Sequence, residues 1–172
     1  MNILFTLNDS FVPQVATCMC SIFENNKSAE NITVYLIGER INQENQDKLK
    51  GFAKSYDRKV CIISINNIAD YIDFDFDTNG WSSIILARLF LDKLLPQEVD
   101  RILYLDGDTL VLEDIGSLFY SDLGDKVIGM CPEPTVDKSR KEFLALKEHP
   151  YHNSGVLLID LKKWRREEIG KK

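Results

Sequence analysis

Two aspartates one residue apart, Asp106 and Asp108, close the apolar run Ile102 to Leu105, with Gly107 between them. Carboxylates are hard oxygen donors, and a pair of them suits a divalent cation such as Mn2+ or Mg2+. Along an extended backbone, residues i and i+2 project to the same side. Gly107 lets the chain bend there and lets a ligand come close to the backbone. Asp-Gly-Asp alone is also an ordinary turn. Its setting differs from a solvated turn, because apolar residues flank it on both sides. Other polar residues stand out against apolar surroundings. Arg88 is a cation set among apolar neighbours in the run Ser82 to Leu95, and either a pair with Asp92 at i+4 or a ligand would satisfy it. Asn153 stands at the mouth of a buried strand, where turn and cap residues are common. Glu133 lies in a charged stretch.

The elements that must position these residues alternate along the chain. Asn2 to Leu7 reads as a strand. Val12, Val15, Ala16, Met19, Ile22 and Phe23 fall on one face of a helix, with Asp9 or Ser10 as its cap and Pro13 in its first turn. Ile32 to Ile37 is a second strand. Asn42 opens a second helix, and Val60 to Ile65 is a third strand. Asp70 to Gly80 reads as an acidic loop. Ser82 to Leu95 reads as a helix closed by Pro96. Ile102 to Leu105, Lys126 to Cys131 and Gly155 to Leu161 are further strands, and Ile115 to Tyr120 is a short helical turn. Pro132 to His149 shows little periodicity. Lys162 to Ile169 is a cationic amphipathic segment that reads as a helix still running where the sequence stops. Such alternation predicts an α/β fold with a mostly parallel sheet. In open sheets of this kind, ligands bind beyond the carboxyl ends of the strands, where the two aspartates stand. No Gly-x-Gly-x-x-Gly and no Walker sequence follows the first strand.

A chain of 172 residues with 44% apolar and 28% charged residues suits one soluble domain. A net charge of −6 argues against nucleic acid as a partner. No apolar run nears the roughly 18 residues that a membrane span needs, and no secretory signal pattern opens the chain. Cys18 and Cys20 lack a second pair at zinc spacing. Cys61 and Cys131 read as small buried hydrophobes. The expected compartment is the reducing cytoplasm. The basic tail from Lys162 leaves contact with the inner face of a membrane open.

With these pieces placed, the chain resembles the N-terminal part of the retaining glycosyltransferases of family 8. That family includes bacterial lipopolysaccharide galactosyl- and glucosyltransferases and is related to glycogenin. Four stretches carry the likeness, in order. They are Phe5-Thr6-Leu7-Asn8-Asp9-Ser10-Phe11, Ala87-Arg88-Leu89, Tyr104 to Val111, and Asn153-Ser154-Gly155 with the strand and helix after it.

The resemblance implies a GT-A nucleotide-diphospho-sugar fold, a Rossmann-like sheet flanked by helices. It implies a UDP-hexose donor, Mn2+ or Mg2+ as cofactor, and a saccharide or lipid-linked saccharide acceptor. It places the metal on Asp106 and Asp108. It places the donor at Thr6, Leu7, Asn8, Asp9, Arg88 and Gly107, and puts Asn153 and Glu133 beside the transferred sugar as the catalytic candidates. Where many relatives carry an acid, this chain has Asn8. The family's later acidic loop and its C-terminal His-x-x-Gly-x-x-Lys-Pro stretch are missing from these residues. The expectation is therefore one nucleotide-sugar-binding domain over 1–172 without its acceptor-binding and metal-completing part. The same residues would also suit a non-catalytic nucleotide-sugar-binding module. A sugar nucleotidyltransferase fits less well, because Asn8-Asp9-Ser10-Phe11-Val12 lacks the Gly-rich, basic loop of those enzymes.

Overall fold

Seven-residue apolar runs pair into the centre of one six-stranded sheet. The computed structural model describes residues 1–72, 80, 82–146 and 149–171. The strands are β1 (Asn2–Asn8), β2 (Thr33–Glu39), β3 (Lys59–Ile65), β4 (Arg101–Leu105), β5 (Ile128–Pro132) and β6 (His152–Asp160). The helices are α1 (Val12–Asn25), α2 (Gln43–Ser55), α3 (Leu91–Leu94), α4 (Gly116–Phe119), α5 (Lys138–Phe143) and α6 (Leu161–Arg166). The sheet order is β3-β2-β1-β4-β6-β5. The first four strands are parallel, and β6 is the reversed strand, antiparallel to both of its neighbours, β4 and β5. This is a mostly parallel α/β sheet flanked by helices, as the resemblance implies.

Alternation along the central strands sends side chains into two apolar layers. Ile3, Phe5, Leu7, Leu103 and Leu105 pack under α1 and α2. Leu4, Ile102 and Tyr104 pack on the opposite face against Ala87, Leu91 and Trp164. The edge strands are less covered. Cys61 on β3 and Cys131 on β5 are therefore exposed, not buried as expected.

Three other local expectations fail for identifiable reasons. Ser82 to Leu95 is not one α-helix. It is a 3₁₀ run, Ser83–Leu89, then α3, with a break at Phe90 (φ −118°, ψ 31°). Three residues per turn keep Ser82, Ile85 and Arg88 along one edge, toward the carboxyl ends of the strands. The polar stretch after Pro132 contains α5, started by the Asp137 carboxylate accepting from Arg140 N at 2.8 Å. The basic tail is only the short α6, then a turn and a 3₁₀ turn, Ile169–Lys171. The acidic loop lies mostly outside the described residues, and Ile68–Tyr71 just before it is a 3₁₀ turn.

Much of the tail's charge is spent inside the fold. Arg165 donates to the carbonyls of Pro96 at 2.8 Å, Val99 at 2.9 Å and Gln97 at 3.1 Å. Lys163 pairs with Asp160 at 3.3 Å and donates to the Gly124 carbonyl. Among the described residues, no helix is long and apolar enough to cross a membrane.

The end of α1 fixes the segment that follows β4. Asn26 is fully buried. Its Nδ2 donates to the Ile22 carbonyl at 2.8 Å, and its Oδ1 accepts from Ile115 N at 2.9 Å. Ser21 Oγ accepts from Val111 N at 3.0 Å, and Asn25 Nδ2 donates to Val111 O at 2.8 Å. Replacing Asn26 by Ala leaves the Ile115 amide without this acceptor. Urea denaturation should then show a loss of about 1–3 kcal/mol, the cost of stranding a buried polar group.

Candidate active site

β1 and β4 are neighbours in the sheet, yet two strands, β2 and β3, come between them along the chain. The chain moves outward from β1 through β2 to β3, then returns to the other side of β1 as β4. This is the topological switch point, where open α/β sheets bind ligands. The β1–β4 ladder registers Ile3 with Leu103 and Leu4 with Tyr104. Thr6 to Asn8 and Asp106 to Asp108 extend beyond it at the carboxyl ends. Because β6 is antiparallel, it brings its amino end, Asn153 to Gly155, to the same place. Asp106 N donates to the Gly155 carbonyl at 2.8 Å.

β4 ends at Leu105, so the two aspartates do not share an extended strand. Asp106 to Thr109 forms a turn, with Thr109 N donating to Asp106 O at 3.2 Å and its hydroxyl to the same oxygen at 2.8 Å. Gly107 faces α1. A Cβ there would lie 2.6 Å from Val15 Cγ2, so only glycine fits. Asp108 is exposed beyond it, and Asp106 turns to the opposite face of the sheet.

Asp106 is held by several groups at once. Its Oδ1 accepts from the Tyr104 hydroxyl at 2.6 Å and from Arg88 Nη2 at 3.4 Å. Arg88 also donates from Nη1 to Ser154 O at 2.8 Å and from Nε to Ile85 O at 2.9 Å. Its guanidinium carbon stands 4.3 Å from the centroid of the Tyr104 ring. The Arg88 side chain is 14% exposed, and the pair it makes is with Asp106, not Asp92. Burial pushes the Tyr104 phenol above the usual tyrosine range. Arg88 opposes that, and the bond to Asp106 adds to it. Thr6 Oγ1 lies 3.3 Å from the same hydroxyl.

The oxygen left over is Asp106 Oδ2. It faces Gly155, where a Cβ would come within 2.8 Å of it. The space beside Oδ2 thus depends on the absent side chain at 155. Among the described residues, no group of three or more His, Cys, Asp or Glu side chains is placed to hold a metal ion. Asp106 Oδ2 and the exposed Asp108 carboxylate are hard oxygen donors of the kind a divalent cation takes, alongside phosphate or water oxygens.

The other candidates take distinct places. Leu7 is buried, so only its backbone can face a ligand. Asn8 Nδ2 reaches Ser82 Oγ at 3.5 Å, and its Oδ1 accepts from Ser10 Oγ at 2.7 Å. Asp9 does not cap α1, which starts without a side-chain cap after a 3₁₀ turn, Asp9–Phe11. Its carboxylate instead accepts from Asn42 N at 2.9 Å, Asn42 Nδ2 at 2.8 Å and Asn45 Nδ2 at 2.9 Å, at the start of α2. Asn42, which precedes α2 as expected, also caps it, accepting from Asn45 N at 2.8 Å. Asn153 Oδ1 accepts from Gly155 N at 2.7 Å. Glu133 follows β5, and Cys131 pairs with Asn153 across the ladder. The Thr135 hydroxyl and amide, and then the Asn153 amide, hold the Glu133 carboxyl below its usual range. Asp106, Arg88, Asn153 and Gly155 thus cluster, Glu133 adjoins Asn153, and Asp9 is turned to α2.

Sequence reasoning missed Tyr104 and the Ser154 carbonyl. Tyr104 had a usable signal, since it precedes Asp106 by two on an alternating strand. A cavity of about 330 Å³ lies elsewhere, lined by Met1, Asn31 and Tyr120 at the amino end of β1, and is no part of this cluster.

The profile described as Glycosyl transferase family 8 matches residues 2–172. The chain belongs to that family. It is 27% identical over 177 residues to the Escherichia coli lipopolysaccharide 1,2-glucosyltransferase, covering 100% of this chain and 51% of that one. The crystal structure of the galactosyltransferase LgtC, in complex with donor and acceptor sugar analogs, superposes with a TM-score of 0.83 at 28% identity. That match covers 99% of this chain and 62% of LgtC. Mouse xyloside xylosyltransferase 1, at 18% identity and a TM-score of 0.68, shares the fold over 99% of this chain and 69% of its own. The chain thus spans about half the length of the curated relatives it matches.

Asp9 generates a pH prediction. The Asn42 amide, then the Asn45 side chain, hold its carboxyl below the ordinary range. A carboxyl depressed in the folded state adds stability above its unfolded pKa, and that share is lost as pH falls through the folded value. Unfolding midpoints measured from pH 7 downward should fall below about pH 4. Asp9→Asn should make that acid limb shallower.

Proposed function

We propose that the chain is the donor-binding part of a hexosyltransferase that moves a sugar from a UDP-hexose to an acceptor hydroxyl with retention. The observation that carries this reading is the placement of Asp106. It sits at the switch point, with Oδ1 pinned by Tyr104 and Arg88 and Oδ2 open beside Gly155. Membership of family 8, and the likeness to LgtC with its donor and acceptor analogs, support the same reading.

In this reading Thr6, Asn8 and the backbone of Leu7 and Asp9 line the nucleoside, and Gly107, seated against α1, lets the turn that carries Asp106 and Asp108 form under the diphosphate. Arg88 turns positive charge toward the phosphates. Asn153 offers its amide to the sugar, and Glu133, kept ionised, orients that amide. A divalent ion on Asp106 and Asp108 would supply charge neutralisation for the departing diphosphate. The bond from the anomeric carbon to the phosphate oxygen breaks. A bond from the same carbon to the acceptor oxygen forms on the same face. The acceptor proton passes to the departing phosphate oxygen. The acceptor is a saccharide or lipid-linked saccharide, as the named E. coli relative suggests, and the setting is the cytoplasm.

A panel of UDP-sugars with Mn2+, read by UDP release from the full-length protein, tests this. One hexose should be turned over well above the others. Asp106→Ala combined with Asp108→Ala should remove turnover, a drop of at least about 100-fold. Undiminished release from that double variant would remove the site assignment.

A further inference from the structure

Tyr104 touches no ligand in the donor site as described so far, yet it makes the shortest bond to Asp106. Its side chain is 1% exposed on β4 and lies on the same sheet face as Asp106. The hydroxyl donates to Asp106 Oδ1 at 2.6 Å and lies 3.3 Å from Thr6 Oγ1 on β1. With the phenolic proton committed to Asp106, the Thr6 hydroxyl is the donor in that second contact. The result is a relay of donors, Thr6 to Tyr104 to Asp106, across the two strands of the switch point. The ring serves a second purpose as the platform for the Arg88 guanidinium at 4.3 Å.

We infer that Tyr104 is a positioning residue that selects which oxygen of Asp106 faces the ligand. A carboxylate at a strand end can rotate and exchange its two oxygens. Here one oxygen is tied by a buried hydroxyl and by Arg88, so the other is presented beside Gly155 in a fixed direction. A ligating carboxylate that is itself hydrogen-bonded is better oriented toward a cation, and losing such a partner typically weakens metal binding about 10- to 100-fold. This rests on the donor-site reading above, and the test separates the two.

Tyr104→Phe keeps the ring under Arg88 and removes only the hydroxyl. UDP binding to the full-length protein is measured by calorimetry with and without Mn2+. Mn2+ alone is followed by its electron paramagnetic resonance signal. Tyr104→Phe should weaken Mn2+ binding about tenfold or more and erode the gain that Mn2+ gives to UDP binding. UDP binding without metal should stay within about twofold of the wild type. Equal losses in both UDP arms would mean general damage and would overturn the role. So would Mn2+ binding by Tyr104→Phe at wild-type strength while Asp106→Ala loses it; that result spares the donor-site reading. Wild-type Mn2+ binding by Asp106→Ala would sink the donor-site reading and this inference with it. If Tyr104→Phe fails to fold, Thr6→Val takes its place, since it removes the far donor of the relay. Thr6→Val should then shift the same Mn2+ signal in the same direction, and no shift would overturn the role.

Discussion

The cluster at the switch point exists because a guanidinium has been taken almost wholly out of water. A cation that is mostly buried must find partners for its fork of donors, or the fold carries an uncompensated charge. Arg88 finds the carbonyls of Ile85 and Ser154, the face of Tyr104 and the carboxylate of Asp106. These partners come from three segments, its own among them. One arginine therefore ties the 3₁₀ run, β4 and the start of β6 into one rim. The ion pair itself is half exposed on the Asp106 side and adds little to stability alone. Its value lies in geometry, since it fixes where a carboxylate can stand.

Topology explains why that rim is at the carboxyl ends and not elsewhere. A wholly parallel sheet would carry β6 in with its amino end at the far side. Here β6 pairs antiparallel to β4, with Leu105 opposite Val156. The chain therefore enters β6 beside the point where it leaves β4. Asn153, Ser154 and Gly155 reach Asp106 through this reversal. The missing side chain at Gly155 then leaves open space, because the reversal brings it against Asp106 Oδ2.

The strands were legible because β-branched, apolar runs between turn residues admit few other readings. The paired acids and Asn153 were legible as residue types in a familiar order. What escaped the sequence was conformational detail that residue types leave open. A 3₁₀ run and an α-helix carry nearly the same apolar spacing over seven residues, so Ser83–Leu89 read as the first half of a longer helix. Charge pattern shows that a tail is basic, but not that Arg165 caps carbonyls at 96, 97 and 99. Asp9 fitted a helix cap by sequence distance. Only tertiary packing shows that the nearer donors are on α2. Cys61 and Cys131 read as buried from their neighbours, yet sheet order put both on edge strands.

The local charge balance also bears on the order in which ligands could occupy the rim. Asp106 and Asp108 carry two negative charges, and Arg88 offsets one of them within the cluster. The whole chain, these groups included, carries a net charge of −6. A nucleoside diphosphate brought here unaccompanied would meet repulsion from the remaining carboxylate at short range, where screening is weakest. A divalent cation reverses the sign of that local field. Asp106 is held rigid by its neighbours, while Asp108 is exposed and free to adjust its carboxylate. In the proposed function, one fixed and one adaptable ligand would let the same rim accept a cation alone or a cation already carrying phosphate oxygens. On this reasoning the fixed carboxylate sets the position of the charge, and the adaptable one sets how many other oxygens can share it.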